Sequence, residues 1–271
     1  MLYIVSTPIG NLQDITLRAL DVLKRVDYIL CEDTRHSSKL LTHFEISKPL
    51  VSFHLFNERE RQDKVLEDLQ QGKQIALISD AGTPLIADPG FTLIQECRAH
   101  NIPLTSVPGP VALIAALTVS GCSPLPFQFI GFLPKKENEL KEFLSNALEY
   151  AGTTICYESP NRVHKTLSVL QQIDPDQKVV IARELTKHYE TIISGTAAEL
   201  ATQTKELLGE VVLLFEARGN KENVSFSHDL IQKLVQDLVS QGHSVKDSVQ
   251  HVSTTLKMSR NEVYKLAHLA L

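Results

Sequence analysis

The chain has 271 residues, 43% of them hydrophobic and 22% charged, which excludes an intrinsically disordered protein and leaves room for two domains of ordinary size. The formal net charge of −5, from 27 Lys+Arg against 32 Asp+Glu, weighs against a protein that coats nucleic acid indiscriminately, while a local basic face remains compatible with it. With no Trp and 6% aromatics, an extended stacking platform for single strands is a weak option.

In chain order, residues 2–5 form a short apolar run that reads as a buried strand, and residues 16–26 carry Leu17, Leu20, Leu23 and Val26 at helical spacing. A second strand is predicted at 28–31, a helix at 58–71 ending at Gly72, a strand at 75–78 and a helix at 91–100. A strand at 103–107 and an apolar helix at 111–120 complete a βα series, which implies a largely parallel sheet. The Pro- and Gly-rich stretch 120–126 is the best domain boundary, giving an N-terminal α/β domain over 1–122 and a second over 123–220. In the second, the apolar runs 179–182 and 191–194 are close enough to pair antiparallel, so a mixed sheet is expected.

After Arg218-Gly219-Asn220 the character changes, and residues 221–271 read as a small tail of three helices. Capping patterns start at Ser244 and Ser259. Cys31, Cys97, Cys122 and Cys156 form no CxxC pair, which suggests reduced thiols and a cytoplasmic home. The histidines show no metal-ligand spacing, so no metal site is expected. No leader-like N-terminus and no apolar stretch long enough to span a membrane is visible.

Four loops follow predicted strands, where open parallel sheets place their ligands. They are Thr7-Pro8-Ile9-Gly10-Asn11, Glu32-Asp33-Thr34-Arg35, the run 79–90, and Pro108-Gly109-Pro110. Taken singly, each reads most simply as a tight turn. Several together shift the reading toward a small-molecule site, although neither the dinucleotide fingerprint nor the P-loop is present. For Asp33 and Arg35 the plain alternative is a helix cap over 37–44 with a surface ion pair. Glu158-Ser159-Pro160-Asn161-Arg162 and residues 182–187 repeat the same charged style.

Thr7–Leu12 with Asp14-Ile15-Thr16 and Arg18-Ala19-Leu20, the segment 32–35, the run 79–90 and Pro108-Gly109-Pro110 form an ordered series. Gly131-Phe132-Leu133-Pro134, Tyr157-Glu158-Ser159-Pro160, residues 183–187 and Gly209-Glu210 continue it. The series resembles the family of 16S rRNA (cytidine-2′-O)-methyltransferases, within the tetrapyrrole-methylase-like (class III) S-adenosylmethionine-dependent methyltransferases. The resemblance implies two α/β domains around S-adenosyl-L-methionine, a helix-turn-helix-like extension, a homodimer, and 16S rRNA of the small ribosomal subunit as partner. It implies cofactor contacts from Pro8 and Ile9, from Gly82, Thr83, Pro84 and Ile86, from Val111 and Ala112, and from Tyr157 and Gly209. Thr83 stands where other members of the class carry an acid. Residues 135–141 carry fewer basic residues than the family has after the Gly-Phe-Leu-Pro motif, Leu208 replaces a common basic residue, and Phe56 a common histidine.

Methyl transfer to a ribose hydroxyl calls for alignment and a general base. Asp33, Asp88 and Glu184 are the candidates, with Arg35 and Lys187 as phosphate clamps or electrostatic partners. The charge density of 183–187 favours Glu184 with Lys187. Arg162 and Arg183 are further expected phosphate contacts. Two rival functions are a methyltransferase for a macrocyclic tetrapyrrole and a non-enzymatic RNA-binding module working through the tail. The charged motifs and the tail weigh against the first, and the stiff strand-end loops and the net charge against the second.

Overall fold

A computed structural model of the chain describes residues 1–204, 207–217, 228–256 and 260–268. The first half runs β1 (Leu2–Val5), α1 (Leu17–Arg25), β2 (Tyr28–Cys31), α2 (Thr34–His43), β3 (Leu50–Ser52), α3 (Glu58–Gln70), β4 (Ile75–Leu77), α4 (Phe91–Ala99), β5 (Leu104–Val107) and α5 (Ala112–Ser120). Its five strands lie in the order β3-β2-β4-β1-β5, and every pair is parallel. Helices cover both faces of a parallel sheet, so its strands read as continuous apolar runs. Leu2, Leu30, Ile75 and Leu77 belong to one core cluster. Their neighbours Val5, Ile29, Cys31 and Ala76 belong to another. This is the period-2 alternation of a strand buried on both sides.

Two differences from the sequence reading have local causes. Helix α2 starts at Thr34, before the predicted 37–44, because Asp33 is its N-cap and its side chain accepts the Arg35 N–H. Strand β3 was not anticipated: it is three residues long and only half-buried, so it carries no strong apolar pattern.

The second sheet contains β6 (Phe127–Phe132), β7 (Thr153–Glu158), β8 (Lys178–Arg183), β9 (Thr191–Thr196) and β10 (Val211–Phe215), with α6 (Glu137–Ala147), α7 (Pro160–Ile173) and α8 (Ala197–Gln203) between them. The strand order is β6-β7-β10-β8-β9. Only β6 and β7 run parallel. The other neighbours are antiparallel, including the expected β8–β9 pair. Helices α6–α8 bury Leu140, Leu144, Val163, Leu167 and Leu200 against one face. The other face receives Leu113, Ala116 and Leu117 of α5 on Ile155, Val180, Val212 and Leu214. Helix α5 therefore leaves the first sheet and packs on the second, which brings the loops of both sheets to a common cleft.

The chain forms two compact units, Met1–Arg218 with both sheets and Gly219–Leu271. The second contains α9 (His228–Ser240), α10 (Val245–Leu256) and α11 (Arg260–His268) around Ile231, Val235, Val249, Val252 and Val263. Ser244 caps α10 as expected, accepting the Asp247 N–H at 3.1 Å. The predicted cap at Ser259 and the break at 218–220 lie outside the described residues. Among the described residues no helix is long and apolar enough to cross a membrane.

Candidate functional site

The loops after β1, β4 and β5 are tied to one another before they meet any ligand. Thr7 and Gly82 exchange backbone hydrogen bonds of 2.8 and 3.1 Å. Thr83 Oγ1 donates to the Pro110 carbonyl at 3.1 Å and lies 2.7 Å from Ser6 Oγ. A threonine hydroxyl has one proton, so Ser6 is the donor in that second contact. Gly82 has φ +82°, and a Cβ there would meet Ile9 Cγ2 at 3.3 Å. At Gly109 a Cβ would meet Ser6 Cβ at 2.8 Å. These glycines let one loop approach another, a reason not visible in the sequence, which pointed to close approach of a ligand.

The packing stores strain. Leu85 and Ala87 adopt φ of 76° and 71°, and in the facing loop Glu184 and Thr186 adopt 53° and 66°. Left-handed conformations at such residues are costly and cluster at ligand-binding sites.

Between these loops and the second sheet lies a cleft of about 350 Å³. Of the expected cofactor residues, Ile9, Gly82, Thr83 and Ile86 line it from the first two loops, Val111 and Ala112 from the start of α5, and Tyr157 and Gly209 from the second sheet. Pro84 is buried and does not line it. Pro8 faces a neighbouring cavity of about 330 Å³ together with Lys187. Asp80, Phe132, Leu185 and Glu210 also line the cleft; the sequence places them inside the motif series but gives them no individual role. Which side chain of a motif points inward depends on loop dihedrals that no pattern encodes. Among the described residues no His, Cys, Asp and Glu are grouped to hold a metal.

Among the expected catalytic residues, Asp88 is in the cleft. Burial, reinforced by the Glu32 and Asp80 carboxylates, pushes it up to about 7. Glu32 is raised for the same reasons, burial first and Asp80 second. Asp80 itself accepts the Asp33 N–H at 3.2 Å, linking the loops after β2 and β4.

Glu184 and Lys187 form a closed knot beside the cleft. Lys187 Nζ lies 2.9 Å from Glu184 Oε1 and 3.2 Å from Glu210 Oε2. The Glu210 N–H donates to the same Glu184 oxygen at 2.9 Å. That amide, then Lys187, holds the Glu184 carboxyl below its ordinary range. The charge density that favours this pair in the sequence therefore has a structural explanation. The knot also dictates Gly209, at φ +88°, where any Cβ would collide with the Glu184 carboxylate.

Asp33 and Arg35 follow the plain reading. Arg35 pairs with its own cap residue at 2.7 Å with its side chain 88% exposed. Arg162 turns inward: it donates to the Leu133 and Pro134 carbonyls at 3.0 and 2.6 Å and lies 3.3 Å from the fully buried Glu158 carboxylate. Its Nη2 is thus engaged in joining the Gly-Phe-Leu-Pro loop to the start of α7, a role that the sequence reading, which expected a phosphate contact, did not assign. Arg183 donates to the Tyr189 carbonyl at 3.4 Å.

Residues 1–201 match the family described as Tetrapyrrole (Corrin/Porphyrin) Methylases. The chain is 42% identical over 270 residues to "Ribosomal RNA small subunit methyltransferase I" of Pasteurella multocida (strain Pm70), covering 98% of this chain and 95% of that protein. It is 38% identical over 275 residues to the protein of the same name from Bacillus subtilis (strain 168), covering 99% and 94%. Among solved structures, diphthine synthase matches with TM-score 0.62 at 13% identity, covering 79% of this chain and 89% of that one. A uroporphyrin-III-C-methyltransferase from Thermus thermophilus matches with TM-score 0.57 at 18% identity, covering 79% and 93%. At those identities the two structures speak to the fold alone.

Proposed function

The chain belongs to the tetrapyrrole (corrin/porphyrin) methylase family and, within it, to the small-subunit ribosomal RNA methyltransferase I proteins, and from that premise we propose that it methylates 16S rRNA at the 2′-hydroxyl of a cytidine, using S-adenosyl-L-methionine. The observation that carries this reading is the cleft, where loops of the parallel sheet and strand ends of the mixed sheet enclose a ligand-sized space with a carboxylate poised near neutrality.

The donor set fits the cofactor. Ile9, Val111, Leu185 and Val212 offer apolar walls for an adenosyl group, and the Asp80 carboxylate offers a counterpart to the cationic methionine portion. When bound, S-adenosylmethionine supplies an electrophilic methyl group on a sulfonium leaving group. The chain's own part is positioning and proton removal. The Ser6–Thr83–Pro110 hub and the Thr7–Gly82 bridge hold three loops rigid around the site, which keeps the reacting groups aligned. A carboxylate oxygen of Asp88 accepts the proton of the attacking hydroxyl. Its raised proton affinity suits a base that works near neutral pH. Glu184, held ionised by Lys187 and the Glu210 amide, serves to fix the opposite wall.

The homodimer implied by the resemblance belongs to the same proposal. Half-exposed Ile114 and Val119 on α5, with exposed Leu125 beyond it, support an apolar contact there, which sedimentation of the purified chain tests. The function itself is tested by incubating the protein with labelled S-adenosylmethionine and unmodified small ribosomal subunits, then mapping the modified nucleotide. Label on the ribose of one cytidine is the expected result. Label on a base, or on a porphyrinoid instead of the subunit, overturns it.

A further inference from the structure

Strand β6 contains an irregularity with a consequence for the acceptor. It pairs with β7 through Phe129↔Ile155 and next through Phe132↔Tyr157. That is three steps along β6 against two along β7, so β6 holds one extra residue, a β-bulge. Gly131 lies in it with φ +68°, where a side chain is disfavoured. In a regular strand residues 129 and 132 face opposite sides. The bulge turns both rings to the same partner: Phe129 and Phe132 lie 4.8 and 5.6 Å from the Tyr157 ring, each at an interplanar angle of 63°. Bulges beside functional sites commonly re-aim a side chain in this way.

The re-aimed Phe132 lines the cleft and is 59% exposed, whereas the apolar walls Ile9, Leu185 and Val212 are 7, 8 and 5% exposed. A large ring in T-shaped contact with Tyr157, yet more than half exposed at the cleft, leaves π-surface free to stack. We propose that Phe132, packed against Tyr157, is the stacking platform for the nucleobase of the acceptor nucleotide. This rests on the proposed methylation of rRNA. The rim position favours the incoming macromolecule over the adenine of the cofactor, which the deeper apolar walls suit better. One ring of this kind serves one base, in keeping with a chain too poor in aromatics to bind a long single strand.

The test compares Phe132→Leu, Phe132→Ala and Phe132→Trp in the full chain, measuring methylation of small subunits and cofactor binding by calorimetry. Leu preserves apolar bulk without a π-face, and Trp preserves stacking. The expected result is a loss of about 10- to 100-fold in kcat/KM for Leu and Ala, the range typical of one base–aromatic stack, with unchanged cofactor affinity and activity restored in Trp. Normal methylation by Phe132→Leu overturns the proposal, and so does an equal loss in Leu and Trp. Cofactor affinity that falls in step with activity assigns the ring to adenine and overturns it as well. Absence of transfer by the unaltered chain overturns the function itself, an outcome distinct from all of these. The substituted ring is mostly exposed, so melting temperatures are expected to stay at the parent value and serve as the control for folding.

Discussion

Two carboxylates on opposite sides of the cleft show how one residue class is put to contrary uses. Asp88, after β4, is half-buried near other carboxylates, with no cation paired to it among the described residues; its proton affinity is raised. Glu184, after β8, meets a lysine and a backbone amide; its proton affinity is lowered. Both sit in loops that contain left-handed non-glycine residues. The difference teaches that the two loops share a strained backbone, while charge environment separates the group that can exchange a proton from the group that holds a wall in place.

The largest expected effect is on Asp88. Asp88→Asn is expected to lower kcat by about 100-fold or more, the range for losing a general base, with cofactor affinity unchanged; Glu184→Gln is expected to keep much more activity. Single-turnover methylation of small subunits checks both, and equal losses would collapse the contrast.

The pH signatures of the two sites are expected to oppose each other. Between the ordinary carboxyl value of 3.8 and about 7, native Asp88 keeps a proton that the unfolded chain has released. Its contribution to stability therefore falls as pH rises through that window. Asp88→Asn is thus expected to gain in Tm over the parent above about pH 7 and to lose that gain below about pH 4. The parent's methylation rate is expected to rise as pH climbs through about 7. Glu184, lowered from 4.5, contributes stability above that value that is lost as pH falls below it. Glu184→Gln is accordingly expected to be destabilised at neutral pH, with the deficit closing in acid. Thermal melts across pH measure both slopes.

A smaller effect sharpens the account of the knot. Gly209→Ala places a Cβ against the Glu184 carboxylate at a left-handed position, and about 1–3 kcal/mol of stability is expected to be lost. An unchanged melting temperature would mean that the loop relaxes freely. The smallest effect is expected at Arg35, which is exposed and, among the described residues, ion-pairs with its own helix cap, Asp33. Arg35→Ala is expected to leave melting temperature and cofactor affinity at parent values, and a sharp loss of subunit methylation alone would restore Arg35 as a phosphate contact.

Much of this was legible in the sequence because the signals are local. Apolar runs between helical periods identified β1, β2, β4 and β5 of the parallel sheet but not β3, and the short spacing between residues 179–182 and 191–194 anticipated the antiparallel β8–β9 pair. The motif series pointed to the loops that line the cleft, down to Ile9, Gly82, Val111, Tyr157 and Gly209. Tertiary structure alone decided what each charged group does. Asp88 and Glu184 are both carboxylates in loops after a strand; Lys187 stands three residues from Glu184, but nothing near either says that Glu32 and Asp80 surround one while the distant Glu210 amide helps hold the other. Arg162 read as a cation after a strand, but its Nη2 donates to the Leu133 and Pro134 carbonyls, which are close to it only in the fold. Phe132 read as one letter of a motif until the pairing register of β6 on β7 turned its ring into the cleft. Secondary structure follows from periodicity along the chain, whereas proton affinity, ion pairing and ring orientation depend on atoms brought within a few ångströms from distant positions, and only the folded chain fixes those distances.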